Sequence, residues 1–142
     1  MGDRTEDRPS LKDLDGVRVA VDEPLPRGVS RDSLKQSVES QLRAAGIKVL
    51  GLGDFPTGDP HLRVTVSTST ERNGLVAVDV QLDFVQIVFL RRNPQVTFNR
   101  AQTWKADAQV ALAPSAQLAR EIQRELARQI DQFVEDYRAA NG

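Results

Sequence analysis

The chain has 142 residues, 39% hydrophobic and 27% charged, the size and balance of one globular domain. Its 19 Lys and Arg against 20 Asp and Glu leave a net charge of −1, so no overall field draws it to nucleic acid or to an anionic membrane. It has no cysteine, which excludes disulfides, thiolate zinc sites and cysteine nucleophiles together, and no apolar run approaches the roughly 18 residues of a transmembrane helix.

Residues 1–14 are nearly all charged or small and read as a disordered tail, with 15–142 as a single α+β domain. Met1–Ser10 has no apolar h-region, so no signal peptide is read there. Val17–Val21 alternates as a short strand, and the Asp-Glu-Pro-Leu-Pro-Arg-Gly run at 22–28 ends it. Ser30 is a good N-cap for a helix carrying Leu34, Val38, Leu42 and Ala45 on one face, with Gly46 placed for a left-handed C-cap. Ile47–Leu50 reads as a second strand, 51–60 as a mobile loop, and Leu62–Thr70 as a third strand with even positions inward.

The central element runs from Gly74 to Arg92. Val76, Val78, Val80, Leu82 and Phe84 are apolar, while Asp79, Gln81 and Asp83 are polar, which is the period-2 pattern of a half-buried strand. The strands on both sides of the 71–74 turn bury even residues, so directly opposed numbers should sum to an even value. On that ground Glu71 pairs with Leu75 across a three-residue loop, with Gly74 left-handed. Val64 then faces Leu82, Val66 faces Val80, and Arg63 faces Asp83 in a cross-strand ion pair. A fifth strand is read from Val96 to about Val110, with Val96, Phe98, Trp104, Ala106 and Ala108 on one face. Pro114 and Ser115 open a last helix whose stripe is Leu118, Ile122, Leu126, Ile130, Phe133, Val134 and Tyr137.

The order β-α-β-β-β-β-α therefore predicts a two-layer α+β sandwich, a mostly antiparallel sheet with two amphipathic helices on one face.

Few residues offer chemistry. His61, the single histidine, shares a loop with Asp54 and Asp59 but reads as solvated, since a metal site wants further imidazoles or thiolates. Asp79 and Asp83 stand roughly 13 Å apart along a strand, beyond the spacing of a paired-carboxylate glycosidase. Gly51-x-Gly53 is too short for a dinucleotide fingerprint. Arg120, Arg124 and Arg128 line a helix face, but Glu121 and Glu125 interleave with them, which marks a solvated face. No catalytic residue, metal ligand or cofactor is assigned.

The stronger signal is the second half of the central strand, where both faces turn apolar. Sixteen residues from Leu75 to Leu90 span roughly 53 Å, while the last helix covers only roughly 36 Å. Either the strand bends and buries this half internally, or it projects past the core and exposes it. Projection makes Val85, Ile87 and Phe89 a binding surface for a protein partner or a second copy, with Arg91 and Arg92 on its polar rim.

Leu11-Lys-Asp-Leu-Asp-Gly-Val-Arg-Val19, Gln41-Leu-Arg-Ala-Ala-Gly-Ile-Lys-Val-Leu50 and Leu62-Arg-Val-Thr-Val66 carry a resemblance, together with four later segments. These are Val80-Gln-Leu-Asp-Phe-Val-Gln86, Leu90-Arg-Arg-Asn-Pro94, Thr103-Trp104 and Ile130-Asp-Gln-Phe-Val-Glu-Asp-Tyr137. Over about 125 residues the chain resembles a family of small, uncharacterised bacterial α+β proteins normally made with a signal peptide. Two positions depart from it: Arg63 replaces an aromatic, and Lys105-Ala-Asp-Ala-Gln109 replaces a Gly-rich stretch. The resemblance implies an exported, periplasmic protein and no particular chemistry. The element order is also similar to small envelope lipoprotein domains that assist outer-membrane assembly. The expectation is a non-catalytic, exported interaction module of the bacterial envelope. A small-molecule-binding domain with a pocket near the 51–61 loop and an enzyme of unknown type are the alternatives.

Overall fold

Leu118, Ile122, Leu126, Ile130 and Phe133 recur at helical spacing along Leu118–Asn141 (α3), and all five are buried. The computed structural model describes residues 4–142 and seats this stripe on the even face of the long strand Leu75–Leu90 (β3). Val76, Val78, Val80, Leu82 and Phe84 of β3 are all buried there. Phe133 is the focus of the packing. Its ring lies 5.2 Å from that of Trp104, edge to face, and 6.0 Å from that of Phe84.

The remaining elements complete two layers. A short helical turn Arg4–Asp7 (α1) and a 3-10 turn Arg8–Leu11 precede Arg18–Val21 (β1) and Arg31–Ala44 (α2). Then come His61–Thr68 (β2), β3, Asn93–Lys105 (β4) and Ala111–Pro114 (β5), before a 3-10 turn at Ser115–Gln117 leads into α3. The open sheet has the order β1-β2-β3-β4, with β5 pairing β3 beside the other half of that strand. Among these strands only β1 and β2 pair in parallel. Ser30 Oγ caps α2 by accepting the Ser33 N–H at 3.2 Å, and Gly46, with φ +81°, ends the helix as its position implies. Leu34, Val38 and Leu42 of α2 join the same core as the α3 stripe.

The α+β class and the order of strands and long helices agree with the sequence, but the membership of that order differs. Ile47–Leu50 is not a strand; it supplies a single parallel bridge, Val17 to Val49. The fifth strand, read to about Val110, ends at Lys105, where the chain leaves the sheet, and a separate strand not read from the sequence rejoins β3 at Ala111. Arg100 and Gln102, which interrupt the apolar alternation there, are both exposed.

The β2–β3 turn is also not the three-residue loop. Arg72 and Leu75 exchange backbone hydrogen bonds at 2.8 and 2.9 Å around Asn73 and Gly74, both with positive φ. That is the two-residue hairpin turn favoured by Asn-Gly. The interior register is nevertheless the one required by parity: Val64 faces Leu82, Val66 faces Val80 and Arg63 faces Asp83. A bulge reconciles the two. The Ser69 N–H donates to the Ala77 carbonyl, while the Ala77 N–H donates to Ser69 Oγ instead of to the Ser69 carbonyl. Thr70 and Glu71 then lie across from Val76 alone, and the odd step is absorbed.

The stretch 1–14 departs from a disordered tail over its described part; residues 1–3 lie outside the described residues. Leu11 is fully buried in the main core. Arg8 Nε donates to Asp136 Oδ1 at 2.7 Å, and the Leu11 carbonyl accepts from Asn141 Nδ2 at 3.0 Å. One leucine and a set of polar partners on α3 order a segment whose average composition argues for disorder.

Candidate interaction surface

The β3 strand has neighbours on both sides only as far as Val85, which lies between His61 of β2 and Gln102 of β4. Beyond that point β2 has not yet begun. The loop before it reaches β3 at Gly58, whose carbonyl accepts the Ile87 N–H at 2.7 Å. From Gln86 to Leu90 the strand therefore continues as a two-stranded ribbon with β4, turned at its tip by Arg91 and Arg92.

Three register shifts interrupt the ladder: those between Phe84 and Val85 and between Gln86 and Val88 each insert one extra residue into β4, and that between Phe89 and Leu90 inserts residues 94–96. Such bulges bend a ribbon and raise its twist. The base of the ribbon is pinned from the helix side, where Gln86 Nε2 donates to Thr103 Oγ1 and to the Ser10 carbonyl.

This geometry separates the residues that the sequence grouped together. Val85 is not part of an exposed surface; it is 3% exposed, because both flanking strands still run beside it. Ile87 and Phe89 are exposed, at 41% and 63%, and Arg91 and Arg92 are exposed at the tip. Two residues placed with Trp104 on one face of the fifth strand belong to the same ribbon, namely Val96 and Phe98, of which Phe98 is half exposed. Phe98 stands opposite Val88, so it lies on the ribbon face away from Ile87 and Phe89. The sequence carried a sign of this: Trp104 and Ala106 continue the alternation and are buried, but Gln102 and Arg100 break it before Phe98 is reached.

The ribbon is also a cationic segment of a nearly neutral chain. Between Gln86 and Gln102 there is no carboxylate, while Arg91, Arg92 and Arg100 fall within that stretch.

The other sequence candidates occupy structural roles. Arg63 grips Asp83 with two parallel hydrogen bonds, Nε to Oδ1 at 3.0 Å and Nη2 to Oδ2 at 2.7 Å, and Gln102 Nε2 adds a third at 2.6 Å. The Asp83 hydrogen bond, opposed by burial, holds the Arg63 guanidinium above its ordinary pKa. This cluster caps the sheet face that lacks helices, and it explains how Asp83 is 3% exposed without being left unpaired. His61 Nδ1 lies 2.8 Å from the Asp59 carbonyl, and Asp54 Oδ2 accepts the Gly51 N–H, closing a loop turn. Arg124 pairs with Glu121, and Arg128 with Glu125, along α3. Among the described residues no group of three His, Asp or Glu is placed to hold a metal ion.

Two openings bear on small-molecule binding. The larger, about 480 Å³, lies between α2 and α3 and is lined by Ser33, Gln36, Ser37, Ser40, Gln41 and Gln123 together with Leu126 and Ala127. The other, about 340 Å³, lies along β1 beside the 51–61 loop, with Arg18, Lys35, Leu52 and His61 on its walls. Arg18 is already committed there, donating to the Gly51 and Asp54 carbonyls. No helix among the described residues is long and apolar enough to cross a membrane.

No protein-family model matches the chain, and no curated protein matches its sequence. Among solved structures, the fold is similar to that of a dodecamer of a PelC point variant from Paraburkholderia phytofirmans, with a TM-score of 0.51 at 16% identity. That match covers 84% of this chain and 87% of the other. A minor lipoprotein from Acinetobacter baumannii matches at a TM-score of 0.40 and 16% identity, over 86% of this chain and 92% of the other. At 16% identity, the likeness to the first of these describes a shared fold alone.

Proposed function

We propose that the protein is a non-catalytic interaction module of the bacterial envelope, on the exported side. It binds a protein partner, in the first place a second copy of itself, through the distal β3–β4 ribbon. The observation that carries this reading is the exposure of Ile87 and Phe89 together on one face of a projecting two-stranded element. Large apolar side chains clustered on a projecting ribbon are what a monomer avoids and an interface uses. Covering them fully contributes on the order of 1.5–3 kcal/mol each, against an association cost of roughly 4–15 kcal/mol, so weak to micromolar binding is the scale. Ile87 and Phe89 form the apolar part of the contact, and Arg91 and Arg92 its polar rim. Val85 serves the core instead.

The envelope assignment draws on the resemblance to exported bacterial proteins carried by the segments between Leu11 and Tyr137. Self-association draws support from the PelC fold neighbour being a dodecamer. The test is sedimentation velocity of the wild type beside Ile87→Asp over a concentration series, with circular dichroism as the folding control. A folded variant that loses a wild-type oligomer supports the reading. A wild type that stays monomeric at every concentration overturns self-association.

A further inference from the structure

The ribbon is not the one apolar surface left open. Leu75 is 41% exposed, and Val110 and Leu112 are each 70% exposed. Leu112 stands opposite Ala77 and Pro114 opposite Leu75 in the β5–β3 ladder. Ala113 and Val76, one position over, are opposed to each other and buried under the helices. Leu75 and Leu112 therefore lie together on the face of the sheet turned away from the helices, with Val110 just before β5. Ile87 and Phe89 share that odd face of β3, but from Leu75 to Phe89 the strand runs roughly 46 Å. One strand thus bears two unlike apolar patches, one at each end.

Resting on the reading that the ribbon binds a second copy, we infer that the surface it binds is the β5 end of that copy. The contact is head to tail, with Ile87 and Phe89 of one molecule covering Leu75, Val110 and Leu112 of the next. Charge favours this pairing over ribbon against ribbon. Two ribbons packed together would bring Arg91, Arg92 and Arg100 of both copies into one contact with no carboxylate of the ribbon to meet them. At the β5 end, Asp79 lies on the same odd face as Leu75 and Ala77, and Glu71 lies in the neighbouring turn, with Arg72 the one cation of that turn. A head-to-tail contact uses one patch on each molecule and leaves the complementary patch free. Assembly then passes beyond the dimer and closes into a ring if the rotation allows.

The test is a complementation experiment by sedimentation velocity, on Phe89→Asp, on Leu112→Asp, and on their equimolar mixture. Both positions are exposed, so both variants fold, which circular dichroism checks; Val110→Asp replaces Leu112→Asp if that variant does not. The inference expects wild type to form species larger than a dimer and each variant alone to be monomeric. The mixture is expected to give a one-to-one dimer and nothing larger, because one intact ribbon meets one intact β5 end and both remaining ends are blocked. A Leu112→Asp protein that assembles like wild type overturns the inference while leaving the ribbon as an interface. So does a mixture of two monomeric variants that fails to dimerise. A wild type that is monomeric throughout removes the ribbon reading itself, and the inference with it.

Discussion

Gln129 of α3 replaces a strand for Leu82 of β3: its side-chain Oε1 accepts the Leu82 backbone N–H at 2.7 Å, in a position where no strand reaches. Its Nε2 donates to the Val80 carbonyl at 2.6 Å, so one carboxamide offers the acceptor and donor that a neighbouring backbone would. The need arises because β4 has left β3 after Lys105 and β5 joins only at Ala111. A buried backbone donor and acceptor would otherwise face the core unpaired.

Replacing Gln129 with Met keeps the volume and removes both bonds, together with the one that Nε2 donates to Glu125 Oε1 at 3.0 Å. We expect Gln129→Met to lower stability by about 2–5 kcal/mol, since each orphaned buried group costs roughly 1–3 kcal/mol. Urea denaturation of the two proteins measures this. A change below about 0.5 kcal/mol would mean that water already serves these groups.

Gly74 holds φ +77° in the β2–β3 turn, and a Cβ there would meet nothing within 4 Å. The whole effect of a substitution is therefore backbone strain. Gly74→Val is expected to cost at least about 1 kcal/mol, and Gly74→Asn distinctly less, because Asn tolerates the left-handed region. Equal losses in a thermal-melt comparison would contradict that account.

Leu11, Ile122 and Leu126 are each fully buried in one core. Truncation of any of them to Ala should cost about 2–5 kcal/mol. Leu11→Ala is the informative case, because it asks whether the N-terminal turn belongs to the cooperative unit. Its chemical denaturation midpoint should fall as far as that of Leu126→Ala.

Burial pushes the Glu125 carboxyl up, but hydrogen bonds from Arg128 and Gln129 outweigh it, and the group sits below its ordinary value of 4.5. A folded pKa below the unfolded one means that the folded state binds this proton less readily. The stabilisation is thus complete above about pH 4.5 and is lost as pH falls through the folded value. Glu125→Gln should flatten the acid limb of a stability-against-pH curve below that point. Well above it, the effect of the substitution should not vary with pH.

The sequence made the α3 stripe, the even face of β3 and the interior register of β2 against β3 legible, because each is written in a long, uninterrupted period. What depends on partners remote in sequence was not legible. Leu11 is ordered by Asn141 and Arg8 by Asp136, pairs separated by about 130 positions, and no local window contains them. The turn at 73–74 escapes the parity rule because Ser69 makes a bulge with its own side chain. For the candidate surface, the apolar run past Phe84 was visible, while the choice between bending and projecting was left open. The end of burial was not, because it falls where β2 starts, at His61, a boundary set by the loop before it.

The ribbon has a consequence before it meets any partner. Val85-Gln-Ile-Val-Phe-Leu90 is six residues of high β-propensity with no charge, no proline and no glycine, the composition that stacks into cross-β fibrils. Two charged flanks confine it: Asp83 lies just before it, and Arg91 and Arg92 close it off directly. While the chain is unfolded, these arginines keep identical hexapeptides from stacking in register, since a stack would line up like charges at a repeat of about 4.7 Å. Removing both would leave a native fold that aggregates on its way to forming.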